Sequence, residues 1–239
     1  MEFSSPLIEG VLLRRYKRFL ADVRLAGGET VTAHCPNTGS MLGCNEPGSR
    51  VWLSDSGSTT RKYPLSWELV EVNEATVVGI NTGRSNHLVR EAIESGVVAE
   101  LEGYGQIRSE VRYGLENSRI DLLLEGQGAY CYVEVKNVTA AVDGAVALFP
   151  DAVSARGSKH LRELSAMVRQ GHRAVILYCV QRDDVAEVRP ADAIDPAYGQ
   201  ALREAMGQGV EALAYQADVS PHGITIRHSI PVMVPDILG

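Results

Sequence analysis

Short apolar runs broken by turn residues fill the first third of the chain, and longer helical stripes alternate with strand-like runs in the rest. Residues 10–16 and 19–26 read as strands, Gly27-Gly28 as a hairpin into residues 29–34, and residues 51–53 and 62–72 as two further strands. Strands this short, with one long irregular stretch between Cys35 and Arg50, predict a small barrel of the OB type over residues 1–80.

From about residue 81 the pattern changes. Ser85 or Asn86 is placed to cap a helix whose stripe is Leu88, Val89, Ala92 and Ile93, with Gly96 to end it. Strands are predicted at 105–113, 118–125 and 130–138. A second helix runs from a Ser158 cap through Leu161, Leu164, Met167 and Val168 to Gly171. The unbroken apolar run 174–180 reads as a strand covered on both faces. Strand 130–138, the helix and strand 173–180 make a βαβ unit with a right-handed crossover. Asp195-Pro196 starts another helix, a cap followed by proline at the first helical position. Strands 210–219 and 223–230 close the chain, so residues 81–239 form a second domain with a mixed central sheet flanked by helices.

Between strands 118–125 and 130–138, Gly126 and Gly128 predict a tight hairpin. A loop of residues 126–129 pairs Glu125 with Tyr130 and sets Asp121 directly opposite Glu134. Alternation then places Asp121, Glu134 and Lys136 on one face, and Ile120, Leu122, Leu124, Val133 and Val135 on the other. Like charges directly opposed are destabilising, so a divalent cation with oxygen ligands is one way to hold the two acids together. Lys136 could then steady developing negative charge or orient a water. The competing reading is a solvated hairpin face on which Glu134 pairs with Lys136 or Arg119.

Composition narrows the field. The chain has 239 residues, 45% of them hydrophobic, enough for one large core or two small ones. Its net charge of −7 gives no global basic field, so any nucleic-acid contact must come from a local patch. Cys35, Cys44, Cys131 and Cys179 lack paired zinc spacing and read as buried free thiols of a reducing compartment. With neither a signal-type leader nor a long apolar run, the expected location is the cytoplasm, away from membranes.

The order helix, three antiparallel strands, helix, strand, with acids on the second and third strands, resembles the core of the PD-(D/E)xK nuclease-like superfamily. Asp121 matches its first acid and Glu134-Val135-Lys136 its ExK triplet, with Ile120 where the motif's proline stands. Across nearly the whole chain, residues 17–23 (KRFLADV), 35–41 (CPNTGSM), 118–121 (SRID), 133–139 (VEVKNVT) and 149–157 (FPDAVSARG) resemble the sugar fermentation stimulation protein A (SfsA) family. The resemblance implies an α/β (mixed α+β) chain, an OB-like barrel followed by a restriction-endonuclease-like domain. It also implies DNA binding and a role in regulating sugar metabolism, maltose use above all.

Two functions are therefore carried forward. In a Mg²⁺- or Mn²⁺-dependent nuclease, Asp121, Glu134 and the Val135 carbonyl hold the metal, Glu91 from the first helix completes the ligand set, and Lys136 assists catalysis. In a non-catalytic DNA-binding regulator the nuclease fold serves only for docking. Glu91 borders the apolar stripe of its helix whereas Glu94 points away; Glu110 is its rival, and a solvated charge the plain alternative. Arg156, Lys159 and His160 stand near a helix start that favours anions, though Lys159 also reads as a surface charge. Arg14, Arg15, Tyr16, Lys17 and Arg18, with Phe19, mix cations and aromatics as single-strand-binding OB grooves do, or blunt a strand edge. Residues 36–40 suit either a phosphate or a domain contact. His87, His160 and His172 read as surface or capping residues. The expected partner is DNA, with single strands and RNA left open; oligomeric state is not encoded.

Overall fold

The computed structural model describes residues 1–73, 75–126, 128–142 and 145–235, so Gln127 of the predicted hairpin loop lies outside the described residues. Six strands come first: β1 (Ile8–Tyr16), β2 (Leu20–Leu25), β3 (Thr30–His34), β4 (Arg50–Asp55), β5 (Leu65–Val72) and β6 (Thr76–Gly79). They run in the order β3-β2-β1-β4-β5-β6, and a β3–β5 pairing through His34 and Ser66 closes the first five into a barrel. Leu12, Val23, Val51, Leu53, Trp67 and Val70 fill it. The hairpin partner β6 is an addition to the predicted five strands.

The second domain contains α1 (Ser85–Glu94), β7 (Gln106–Tyr113), β8 (Ser118–Gly126), β9 (Ala129–Val138), β10 (Ala141–Val142), β11 (Val146–Phe149), α2 (Ala155–Arg169), β12 (Arg173–Val180), β13 (Glu187–Pro190), α3 (Pro196–Gly207), β14 (Glu211–Ser220) and β15 (Gly223–Ile230). Its main sheet has the order β15-β14-β12-β9-β8-β7, with β12 parallel to both β9 and β14. β12 is buried almost throughout, as its unbroken apolar run requires. One face packs on α1 through Leu88, Val89, Leu122, Val133 and Leu177. The other packs on α2 and α3 through Leu161, Leu164, Ile176, Tyr178 and Leu202. The small β10-β11-β13 sheet has no counterpart in the predicted elements.

Two helix starts differ from prediction. The α1 approach is capped one turn early, where the Asn81 side chain accepts from Gly83 N–H ahead of a 3-10 turn, which frees Ser85 and Asn86 for other contacts. α2 is capped by Ser154, accepting from Gly157 N–H at 3.0 Å, rather than by Ser158. The cap of α3 is Asp195, as predicted, accepting from Tyr198 N–H at 3.0 Å.

The domains are joined by packing and by buried polar contacts. Trp52 and Leu69 of the barrel enter the core that holds α1. Glu68, 1% exposed, accepts from Arg84 at 2.8 Å, Asn81 at 2.8 Å and Ser54 at 2.7 Å. The first residues of the chain leave the barrel, with Glu2 bridging Gly223 and Phe3 N–H donating to His222 at 3.2 Å. All four cysteines are buried free thiols. Among the described residues no helix is long and apolar enough to cross a membrane.

Candidate active site

The β8–β9 hairpin has the register its glycines predict, Glu125 opposite Tyr130 through to Leu122 opposite Val133. There the ladder stops. Asp121 does not face Glu134 across the strands; its Oδ2 accepts from Val135 N–H at 2.8 Å, taking the place of a main-chain partner. The neighbouring β7–β8 ladder also skips this level between Ser109–Leu122 and Val111–Ile120, and Glu110 there has φ of +56°. The two strands change facing together at the gap: Ile107, Leu122 and Leu124 point to the α1 core, whereas Val111 and Ile120 join the α2 core. Ile120 therefore lies on the opposite face from the one predicted, and the Asp121 carboxylate is turned edgewise between sheet and α1.

Glu134 is 2% exposed, which removes the solvated-hairpin reading. Its Oε1 takes two contacts, Lys136 Nζ at 2.6 Å and His160 Nδ1 from α2. Its Oε2 is buried and has no hydrogen-bond partner among the described residues. Burial alone would raise the Glu134 carboxyl, but His160 and Lys136 together hold it below the usual range. Asp121 goes the other way, pushed up to about 6 by burial and by the negative charge of Glu134, against the bonds from Val135 and Asn86.

Two residues read as helix caps instead serve this site. Asn86 Nδ2 donates to Asp121 Oδ1 at 2.9 Å, and Ser85 Oγ donates to Asn137 Oδ1 at 3.0 Å. His160, read as a surface residue, is buried at 4% exposure. Arg156 Nε donates to its Nε2 at 3.3 Å, so in the neutral ring Nδ1 carries the proton and faces Glu134. The missed signal was the α2 stripe: His160, Leu164 and Met167 recur at i, i+4 and i+7.

Asp121, Glu134, Val135, Lys136, Asn137 and Arg156 line one cavity of about 350 Å³, walled on the barrel side by Asn37, Thr38 and Gly39. Loop 36–40 thus makes a domain contact and also lines the cavity.

The remaining predicted residues stand elsewhere. Glu91 is an exposed α1 charge that pairs with the Met1 amino group at 2.9 Å, so it does not join the acids. Glu110 is exposed as well. Because α2 begins a turn early, Lys159 lies in its second turn and donates to the Glu116 carbonyl. Arg14 pairs with Asp22 at 2.8 Å and lies 4.9 Å over the Tyr16 ring, while Arg15 is engaged by loop carbonyls. Lys17 and Arg18 remain exposed. His87 is exposed as predicted, and His172 is half-buried against Tyr130 and Tyr132.

Among the described residues no group of three or more His, Cys, Asp and Glu side chains comes together as a metal site. The donors present still suit one kind of ion. A hard cation such as Mg²⁺ is commonly held by one or two carboxylates, with water and substrate phosphate filling the rest. Two carboxylates, one with a buried oxygen left over, fit that demand.

A closed OB barrel joined to a mixed-sheet domain of restriction-endonuclease type, with acid, acid and lysine in the cavity between them, sets the class of the molecule. The model described as SfsA N-terminal OB domain matches residues 13–80, and the one described as sugar fermentation stimulation protein RE domain matches residues 83–223. The chain belongs to the SfsA, or sugar fermentation stimulation protein, family. It is 64% identical to the sugar fermentation stimulation protein homolog of Thioalkalivibrio sulfidiphilus, over 97% of this chain and 98% of that one. With the homolog of Geobacter metallireducens it shares 62% identity over 98% and 100% of the two chains. A solved structure described as Pyrococcus furiosus SfsA in complex with Ca²⁺ superposes with a TM-score of 0.87 at 30% identity, covering 98% of each chain.

Proposed function

We propose that the cavity is the reaction centre of a divalent-metal-dependent phosphodiesterase that acts on nucleic acid, DNA first, in the cytoplasm. The observation that carries this reading is the buried Glu134 with both neighbours on Oε1 and no partner on Oε2 among the described residues, beside an Asp121 whose charge is costly without a cation. Asp121, Glu134 and the Val135 carbonyl are the candidate ligands, for Mg²⁺ or Mn²⁺. The Pyrococcus furiosus relative is described as a Ca²⁺ complex, and a hard divalent ion in the present cavity accords with that. When bound, such an ion supplies charge stabilisation for the phosphoryl oxygens and a more acidic water.

The side chains set up the rest. Asn86 and the Val135 amide fix both oxygens of Asp121, and His160 with Lys136 fixes one oxygen of Glu134. Lys136 Nζ orients the attacking water and offsets charge on the phosphate. Water adds to phosphorus, the bond from phosphorus to the leaving sugar oxygen breaks, and that oxygen takes up the proton. Arg156 on the cavity wall, with Lys17 and Arg18 on the barrel, supplies the phosphate contacts.

The test is incubation with labelled single- and double-stranded DNA and RNA in Mg²⁺ or Mn²⁺. Cleavage should vanish in Glu134→Ala and Lys136→Ala; cleavage that survives both would mark a contaminant. Salt-sensitive DNA binding that persists in EDTA without cleavage would move the assignment to a non-catalytic DNA-binding regulator of sugar use.

A further inference from the structure

The wall on the barrel side of the cavity is tied down at several points. Arg15 Nη2 donates to the carbonyls of Asn37 at 2.9 Å and Gly39 at 2.8 Å, and Nη1 to that of Ser40 at 3.4 Å. From the second domain, the Asp151 carbonyl accepts from Ser40 Oγ at 2.5 Å, Asp151 Oδ2 accepts from Met41 N–H at 2.8 Å, and Thr82 Oγ1 donates to the Pro36 carbonyl at 2.9 Å. Gly39 sits so close that a Cβ would lie 2.5 Å from Asp151 Oδ1. Widening the cavity means breaking this set and parting Trp52 and Leu69 from the α1 core.

The space behind that wall, about 350 Å³, is at the small end of ligand pockets, which run from roughly 300 to 1,000 Å³. It holds about one nucleotide. A phosphate in a duplex brings a second backbone with it, across grooves about 6 to 12 Å wide. Walls contributed by both domains flank Asp121 and Glu134, and a single strand fits between them more readily than two. Enzymes with enclosed sites meet the same restriction by taking unpaired or extruded nucleotides.

A second, independent feature lies on the outer side of the same wall. Arg15 Nη2 also donates to the Arg18 carbonyl at 2.7 Å, so one guanidinium ties the β1–β2 hairpin tip to the cavity loop. Lys17 and Arg18 adopt φ of +50° and +65°, the left-handed values of a tight hairpin tip. Phe19 is left 47% exposed next to two exposed cations. An aromatic ring beside cations, tied through Arg15 to the loop that walls the cavity, is a stacking surface for unpaired bases, and base pairing would hide the faces it needs.

We infer that the polynucleotide this site takes is an unpaired strand: one nucleotide enters beneath loop 37–40 to reach Asp121 and Glu134, and a neighbouring base stacks on Phe19. The inference rests on the phosphodiesterase reading for the bond that is cut, and on the shape of the cavity for the strand that is bound. Blunt duplex is then attacked only where its ends fray.

Anisotropy in EDTA with a labelled oligothymidine strand and a blunt duplex of equal length reads binding, and gel analysis of both with Mn²⁺ reads cleavage. The strand should bind at least about tenfold more tightly than the duplex, and Phe19→Ala should weaken strand binding about tenfold while leaving the duplex unchanged. Thr38→Trp, at an exposed wall position, should fill the cavity mouth and abolish cleavage while the protein stays folded by circular dichroism. Equal affinity for duplex and strand, or internal cleavage of the duplex at the rate of the strand, overturns the inference and leaves the phosphodiesterase reading intact. Strand-selective binding with no cleavage does the reverse. Binding of neither form refutes both.

Discussion

Replacing Asp121 by Asn should stabilise the metal-free protein at neutral pH while destroying its activity. The carboxyl titrates at about 6 in the fold against 3.8 for the ordinary group, because it is buried and because Glu134 repels its charge. A raised carboxyl favours folding when protonated: that contribution is complete below 3.8 and is lost as pH rises through about 6. At pH 7.5 the charged Asp121 therefore costs the fold about 3 kcal/mol, at 1.36 kcal/mol per tenfold in proton affinity. Asparagine removes the charge and keeps the contacts, since its Oδ1 accepts from Val135 N–H and its amide meets a flipped Asn86. At roughly 2–4 °C per kcal/mol for a chain of this size, the Tm in EDTA should rise by several degrees at pH 7.5 and by much less near pH 4. Saturating Mn²⁺ should reverse the order, raising the wild-type Tm and leaving that of the variant in place. Calorimetry at the two pH values settles it: a variant no more stable than wild type in EDTA at pH 7.5 would refute the placing of this charge.

His160→Ala should lower cleavage about 10- to 100-fold, the usual effect of losing a group that orients a ligand. His160→Asn, which can present an N–H near the old Nδ1, should recover more of it than His160→Gln; equal recovery would show that the orienting proton does not matter. Glu91→Ala should leave metal affinity by calorimetric titration unchanged and cost at most about 1 kcal/mol, because its pairing with the Met1 amino group is half-exposed. Gly114→Ala should destabilise by more than about 2 kcal/mol in denaturant melts, since φ is +71° and a Cβ would fall 1.7 Å from the Glu163 carboxylate that grips this turn through Leu115 and Glu116.

What could be read from the chain was whatever is enforced locally. Gly126 and Gly128 fix the hairpin register, Asp195-Pro196 starts α3, and the apolar run of β12 announces a strand covered on both faces. Prediction failed where a side chain replaces a main-chain partner. Strict alternation carried Ile120 to the wrong face because nothing local says that Asp121 will take the Val135 amide. Ser154 and Ser158 are equally competent caps, and the choice between them decides whether Lys159 and His160 stand at a helix end or inside it. Glu91 was placed by a helix wheel, which cannot see the terminal amine folding back from the other domain. The contact of His160 with Glu134 spans 26 residues of sequence and leaves no short pattern.

The departures from regular structure gather at one level of the second sheet. Glu110 has a left-handed backbone, the β7–β8 ladder skips a pair where the β8–β9 ladder stops, burial and Glu134 push the Asp121 carboxyl up to about 6, and Glu134 Oε2 lies buried with no hydrogen-bond partner among the described residues. Each feature costs stability on its own, and strain that persists is held by its surroundings. The surroundings supply that hold: the Glu68–Arg84–Asn81 network, the Arg15 clamp on loop 37–40 and the Glu163 grip on the β7–β8 turn are built from short, oriented hydrogen bonds. On the proposed function, a sheet level that is irregular and electrostatically unfavourable, inside a hydrogen-bonded frame, is what a cation site would require. The same frame explains why the barrel is fused so tightly to the second domain. On the proposed reading, a barrel that only brought nucleic acid near would need no more than a flexible linker, whereas a clamped loop forming one wall of the cavity gives the barrel a part in the selection itself.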